Sequence, residues 1–213
     1  MKKKILALAA IAICGSVAAG GTLAYFNAEV TAHNVITSGE VQIELVEKMS
    51  NGAELVPFPE NGISGAMPGT SVSKIVSVKN TGESEAWVRV GVDAQINKNP
   101  MISAVNELLP LQVADESGNM IDVISYEFVN TDKWIHDTDE ETGVDYYYYV
   151  DPVAGGEETA TLFESVKFAK EMGNEYQNCR ISIDVAANAV QTANNPIPDG
   201  GDVTDIQGWP ENN

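Results

Sequence analysis

Cysteine and histidine are nearly absent from this chain: two of each occur in 213 residues. The histidines, His33 and His136, stand far apart, and neither belongs to a His-Glu-x-x-His run that would hold zinc one helical turn apart with a glutamate as base. No glycine-rich phosphate loop, nucleophile elbow, Cys-x-x-Cys pair or Leu-Pro-x-Thr-Gly sorting signal is present. Nucleotide binding, serine-type hydrolysis, dithiol redox chemistry and covalent attachment to a cell wall therefore have no support, and a non-enzymatic role is expected. Basic residues are scarce too, 12 against 31 acidic ones. Such a surface repels nucleic acid and anionic lipid and favours cations, basic proteins or solvent. No apolar run reaches the roughly 20 residues that a membrane-spanning helix needs.

What the chain does have begins at its N-terminus. Lys2, Lys3 and Lys4 precede the apolar run Ile5 to Cys14, and small residues follow at Thr22 and Ala24. This is the pattern of a secretory signal peptide over residues 1–24, with cleavage expected between Ala24 and Tyr25. Ile13 stands before Cys14 where a lipid-attachment motif needs a small residue, so Cys14 is read as part of the leader. Cleavage removes three lysines and no acid, leaving 9 basic and 31 acidic side chains and a net charge of −22. Cys179 is then the single thiol, no intrachain disulfide can form, and its place in the run Cys179 to Ile183 fits a small buried hydrophobe.

Beyond Tyr25 the apolar period is two. Phe26, Ala28, Val30, Ala32 and Ile36 alternate with Asn27, Glu29, Thr31, His33 and Val35, broken only at Asn34, and Val41, Ile43 and Leu45 alternate with Glu40, Gln42 and Glu44. Val72, Val76 and Val78 share a side with Lys74. After Asn80-Thr81-Gly82 the alternation resumes at Val88, Val90, Val92, Ala94 and Ile96, and a hairpin joining the two runs is the expectation. Residues 121–129, 146–150, 160–168 and 181–191 supply four further strands. The chain is predicted to be all-β, a two-sheet sandwich of jelly-roll type with about seven to nine strands and at most one or two short helices. The helical candidates are Ile102 to Leu109 and a turn near Ala169 to Met172. Residues 51–69, rich in Pro and Gly, read as a loop, and residues 193–213 as a loose or surface-packed tail.

Two clusters invite chemistry. Asp137, Asp139, Glu140, Glu141 and Asp145 gather oxygen ligands around Gly143, so Asp137, Asp139, Glu141 and Asp145 are candidate calcium ligands, although the EF-hand order is missing; a hydrophilic hairpin tip is the plainer reading. Tyr146 to Tyr149 must point alternately to the two faces of a strand, which suits core packing and cross-strand pairing more simply than carbohydrate stacking.

The run Gly20 to Phe26, the turn Thr37-Ser38-Gly39 with the strand Glu40 to Leu45, Met67-Pro68-Gly69-Thr70 leading through Val78 to Gly82, Tyr146 to Tyr149 through Phe163, and Ala189 to Thr192 together resemble the TasA and camelysin family of Gram-positive bacteria. The resemblance spans nearly the whole chain. It implies a jelly-roll subunit, processed by a SipW-type signal peptidase, secreted to the extracellular matrix or cell surface, and assembled into biofilm fibres with copies of itself and with a related matrix protein. It also implies donor-strand complementation, in which residues 25–39 of one subunit complete the sandwich of residues 40–192 of the next. The residues themselves allow this: burial of Phe26, Val30 and Ile36 contributes roughly 5 to 9 kcal/mol before ordering entropy is subtracted. The same contacts form if the segment folds back on its own sheet, so the choice between cis and trans stays open, as does a monomeric adhesin or accessory role. Camelysin-type members have been classed as metallopeptidases, which the two histidines do not support.

Overall fold

The computed structural model describes residues 25–27, 41–59, 63–64, 67–98, 107–140 and 142–209. In chain order the strands are β1 (Tyr25–Asn27), β2 (Ile43–Ser50), β3 (Leu55–Pro57), β4 (Ile63–Ser64), β5 (Ser71–Asn80) and β6 (Ala86–Asn97). They continue with β7 (Gln112–Ala114), β8 (Met120–Asp122), β9 (Ile124–Phe128), β10 (Trp134–Thr138), β11 (Asp145–Tyr149), β12 (Phe163–Phe168) and β13 (Arg180–Gln191). One sheet runs β10-β11-β6-β13-β1-β4, a second runs β3-β2-β5-β12-β9, and β7 and β8 form a separate hairpin. The protein is thus a mostly antiparallel two-sheet sandwich, and its helical content among the described residues is three short 3-10 turns.

The two longest strands form its spine. β6 and β13 pair over 12 residues each, from Arg180↔Asn97 to Gln191↔Ala86. Alternation sends Val88, Val90, Val92 and Ile96 of β6, with Ile181, Ile183 and Val185 of β13, toward the second sheet. That sheet answers with Val76 and Val78 of β5 and with Phe163 and Val166 of β12, all fully buried. β-branched residues stand well on such half-buried pleated surfaces. Cys179 is buried in the same core, as its sequence context suggested.

One expectation fails at Asn80-Thr81-Gly82. β5 and β6 do not form a hairpin: β5 pairs with β2 and β12, β6 with β11 and β13, so the chain crosses between sheets there. The corner is held by the fully buried Asn80. Its amide donates to the carbonyls of Ser84 and Val153, both at 2.8 Å, while its carbonyl accepts from Gly82 N–H. Period-two patterning specifies which face of a strand is apolar, but two strands that face each other across a core carry the same pattern as two that lie side by side.

Smaller differences follow the same logic. The predicted strand over 121–129 is two strands, parted at Val123, whose N–H donates to the Leu111 carbonyl. Trp134–Thr138, not among the predicted strands, is the edge strand β10. Of the candidate helix at Ile102 to Leu109, residues 102–106 lie outside the described residues, while its end is extended: Lys98 N–H donates to Glu107 O and Leu108 bridges Asn97. Ala169 to Met172 is the expected turn.

Residues 195–209 lie against the outer face of the six-stranded sheet. Trp87, Tyr146, Tyr148 and Val190 form an apolar cluster with Val203 and Ile206, and Ile197 and Trp209 pack on it. Trp87 donates its indole N–H to the Asn195 carbonyl at 2.9 Å. A reciprocal cap starts the 3-10 turn Val203–Asp205, with Asp202 accepting from Thr204 N–H and Asp205 accepting from Asp202 N–H.

Candidate functional site

The feature closest to the predicted chemistry of assembly is the edge of β13. One side of β13 is paired with β6 along its whole length. On the other side β1 runs parallel to it, with Tyr25↔Arg180, Phe26↔Ile181 and Asn27↔Ser182, and β4 in turn pairs antiparallel with β1. Parallel strands cannot be joined by a tight turn and need a long connection between them, and an extended segment that pairs with an open sheet side makes main-chain hydrogen bonds along it. Tyr25 and Phe26 of the predicted processing and donor set are therefore in a strand. Ala24, Ala28, Val30, Ala32 and Ile36 lie outside the described residues, as does His33.

The acidic cluster is divided by its hairpin. β10 and β11 pair with Thr138 opposite Asp145 and Asp137 opposite Tyr146. Alternation puts Asp137 on the face opposite Thr138, whose hydroxyl donates to Asp145 at 2.7 Å. His136 Nε2 lies 2.9 Å from the same Asp145 oxygen, and Asp139 accepts from Thr142 N–H at the tip. Glu141 is outside the described residues. Among the described residues no three His, Cys, Asp or Glu side chains gather as a metal site.

The four tyrosines divide as alternation requires. Tyr147 and Tyr149 join the main core, whereas Tyr146 and Tyr148 face outward. The outward pair is not exposed, because the C-terminal segment covers it. Arg89, itself buried, lies with its guanidinium carbon 4.1 Å from the Tyr146 ring and 5.0 Å from the Trp209 ring, and it donates to Asn188 Oδ1 at 3.2 Å. Stacking of a guanidinium on aromatic faces suits Arg and not Lys. Gly91 adjoins this layer, and a Cβ there would stand 3.1 Å from the Tyr146 ring. Of the loose and surface-packed alternatives for this tail the structure takes the second; the residues it covers are not among the expectations, although Val203, Ile206 and Trp209, three residues apart in a polar tail, are a signal of it.

Burial sets the perturbed titrations. It pushes the Cys179 thiol up to about 11 from 9.0, and it raises the phenols of Tyr126, Tyr147 and Tyr176. These groups keep their protons in the folded state after the unfolded chain has lost them. The stabilising contribution of Cys179 is complete below about pH 9 and is lost as pH rises through 11, while that of the buried phenols of Tyr126 and Tyr147 is complete below about pH 10 and is lost only at higher pH than that of the thiol. Lys74, lowered by burial, acts in the opposite sense, adding stability as pH approaches 10.5. Cys179→Ala is therefore expected to flatten the fall in urea midpoint that begins near pH 9. A profile identical to that of the parent protein would refute the assignment.

No known protein family, curated protein or solved structure matches this chain.

Proposed function

We propose that the protein is a secreted, non-enzymatic structural subunit of an extracellular biofilm matrix that polymerises by donating its N-terminal strand, as the resemblance to the TasA and camelysin family implies. The observation that carries this reading is the parallel ladder of Tyr25–Asn27 on the edge of β13. These are the first residues left after cleavage at Ala24, so processing by a SipW-type peptidase would release the donor. The segment 25–36 has the same length as β13, 12 residues. In the fibre, the register set by Phe26↔Ile181 continues with Ala28 on Ile183, Val30 on Val185, Ala32 on Ala187 and Ile36 on Gln191. Through Ala32 the apolar positions of the donor would thereby meet core residues of β13, whereas Asn34 would meet Ala189 and Ile36 the half-buried Gln191. A strand register shifted by one would send them to the other face.

The ladder joins residues of one chain, and this favours a second reading, a self-complemented monomer serving as a surface adhesin or accessory fibre component. Removal of residues 25–36 distinguishes the two. Under the first reading the processed protein forms large species by light scattering and fibres by electron microscopy, and the truncated protein forms neither. Fibres from the truncated protein, or a processed protein that stays a single particle at high concentration, would overturn strand donation.

A further inference from the structure

We propose that the open side of the sandwich between β9 and β10 binds a small, planar, neutral aromatic molecule carrying one polar substituent, a role separate from strand donation. β9 ends one sheet and β10 ends the other. Where the chain crosses between them lies a cavity of about 350 Å³, lined among others by Phe128, Thr131, Trp134, His136, Tyr147 and Leu162. No Asp, Glu, Lys or Arg is among its described lining residues, so an ionic ligand finds no partner there and leaves its hydration uncompensated.

The walls are already in place. The Phe128 and Tyr147 rings are 4.8 Å apart, and His136 stacks on Tyr147 at 4.8 Å and 27°. Asp145 holds His136 through Nε2, and Trp134 packs on Tyr149 at 4.9 Å. The crossing segment is pinned by Val129 N–H on Leu162 O, by Asn130 Nδ2 on Thr161 O and by Val150 N–H on Lys133 O. A site that needs no rearrangement spends little of its binding energy on ordering.

Size and polarity narrow the ligand. An apolar protein cavity of about 150 Å³ is enough for benzene. This one, at 350 Å³, accommodates two fused rings against the wall that Phe128, Tyr147 and His136 build by packing on one another. At the mouth, Asp145 occupies one nitrogen of the exposed His136, which leaves the other nitrogen and the Thr131 hydroxyl to meet a single polar group.

The probe is 2-naphthol, titrated into the purified full chain and followed by heat and by indole fluorescence, with naphthalene as the comparison. Saturable binding of both is expected. Thr131→Trp, at an exposed position that tolerates a larger side chain, fills the mouth and weakens both by about tenfold or more. His136→Ala weakens 2-naphthol about three- to tenfold, the loss of one hydrogen bond, and leaves naphthalene within about twofold. Absence of saturation up to the solubility limit, indifference to Thr131→Trp, or equal weakening of both ligands by His136→Ala would each overturn the proposal. An unchanged thermal midpoint in both variants verifies that they are folded.

Discussion

Glu47→Ala is expected to destabilise the domain by about 3–5 kcal/mol, the effect of stranding a buried charge. Lys74 is completely buried on the inward face of β5, with its ammonium group bonded to the Glu47 carboxylate and 4.1 Å from the centre of the Phe58 ring. Glu47 side-chain exposure is 6%, so solvent cannot replace the lost partner. Glu47 pairs with Val76 in the β2–β5 register, which places Lys74 diagonally next to it on the same face. Urea denaturation of Glu47→Ala, Lys74→Met and the double variant Glu47→Leu with Lys74→Met checks the account. Each single change strands one charge; the double change removes both and is expected to return to the parent stability or exceed it. A single variant within about 0.5 kcal/mol of the parent protein would show that the pair is not sealed from water.

Ending the chain at Asn194 is expected to lower stability by about 3–6 kcal/mol, from the burial of Val203 and Ile206 alone. For a domain of this size the loss corresponds to roughly 10 °C or more in thermal midpoint. The truncation also uncovers Trp87, Tyr146, Tyr148 and Val190 and removes the Trp209 ring from Arg89. Binding of a dye specific for exposed apolar surface should therefore rise at temperatures where the rest of the sandwich remains folded. An unchanged midpoint with no added dye binding would mean that residues 195–209 do not cover this face in solution.

Much of the architecture was legible because alternation is a local property. The inward faces of β2, β5 and β6 follow from residue spacing, and the burial of Cys179 from its strand-like context. Strand partnership was not, as Asn80 illustrates: its side chain turns the corner by reaching Val153, 73 residues away in sequence. Trp134–Thr138 was hidden for another reason. Being an edge strand with an exposed end, it has Trp134 and Ile135 adjacent and then three exposed polar residues, so no period appears.

The candidate sites divide along the same line. The proposed leader, the proposed donor segment and the acidic tip are contiguous stretches, and their composition is visible without a fold. The cavity between β9 and β10 takes its lining from residues 128–136 together with the distant Tyr147 and Leu162, and the Arg89 layer joins β6 and β11 to a tail more than 100 residues after β6.

Sequence alone determined that the chain is all-β, which face of β2, β5 and β6 is apolar, and that acidic residues far outnumber basic ones. Tertiary structure decided which strands are neighbours, that Lys74 has a buried partner, that the outward tyrosines are covered, and that Tyr25–Asn27 lies parallel to the start of β13. The reason is physical: the period of a strand depends on its own backbone geometry, whereas pairing, burial of charge and coverage of a face depend on groups that only the folded chain brings together.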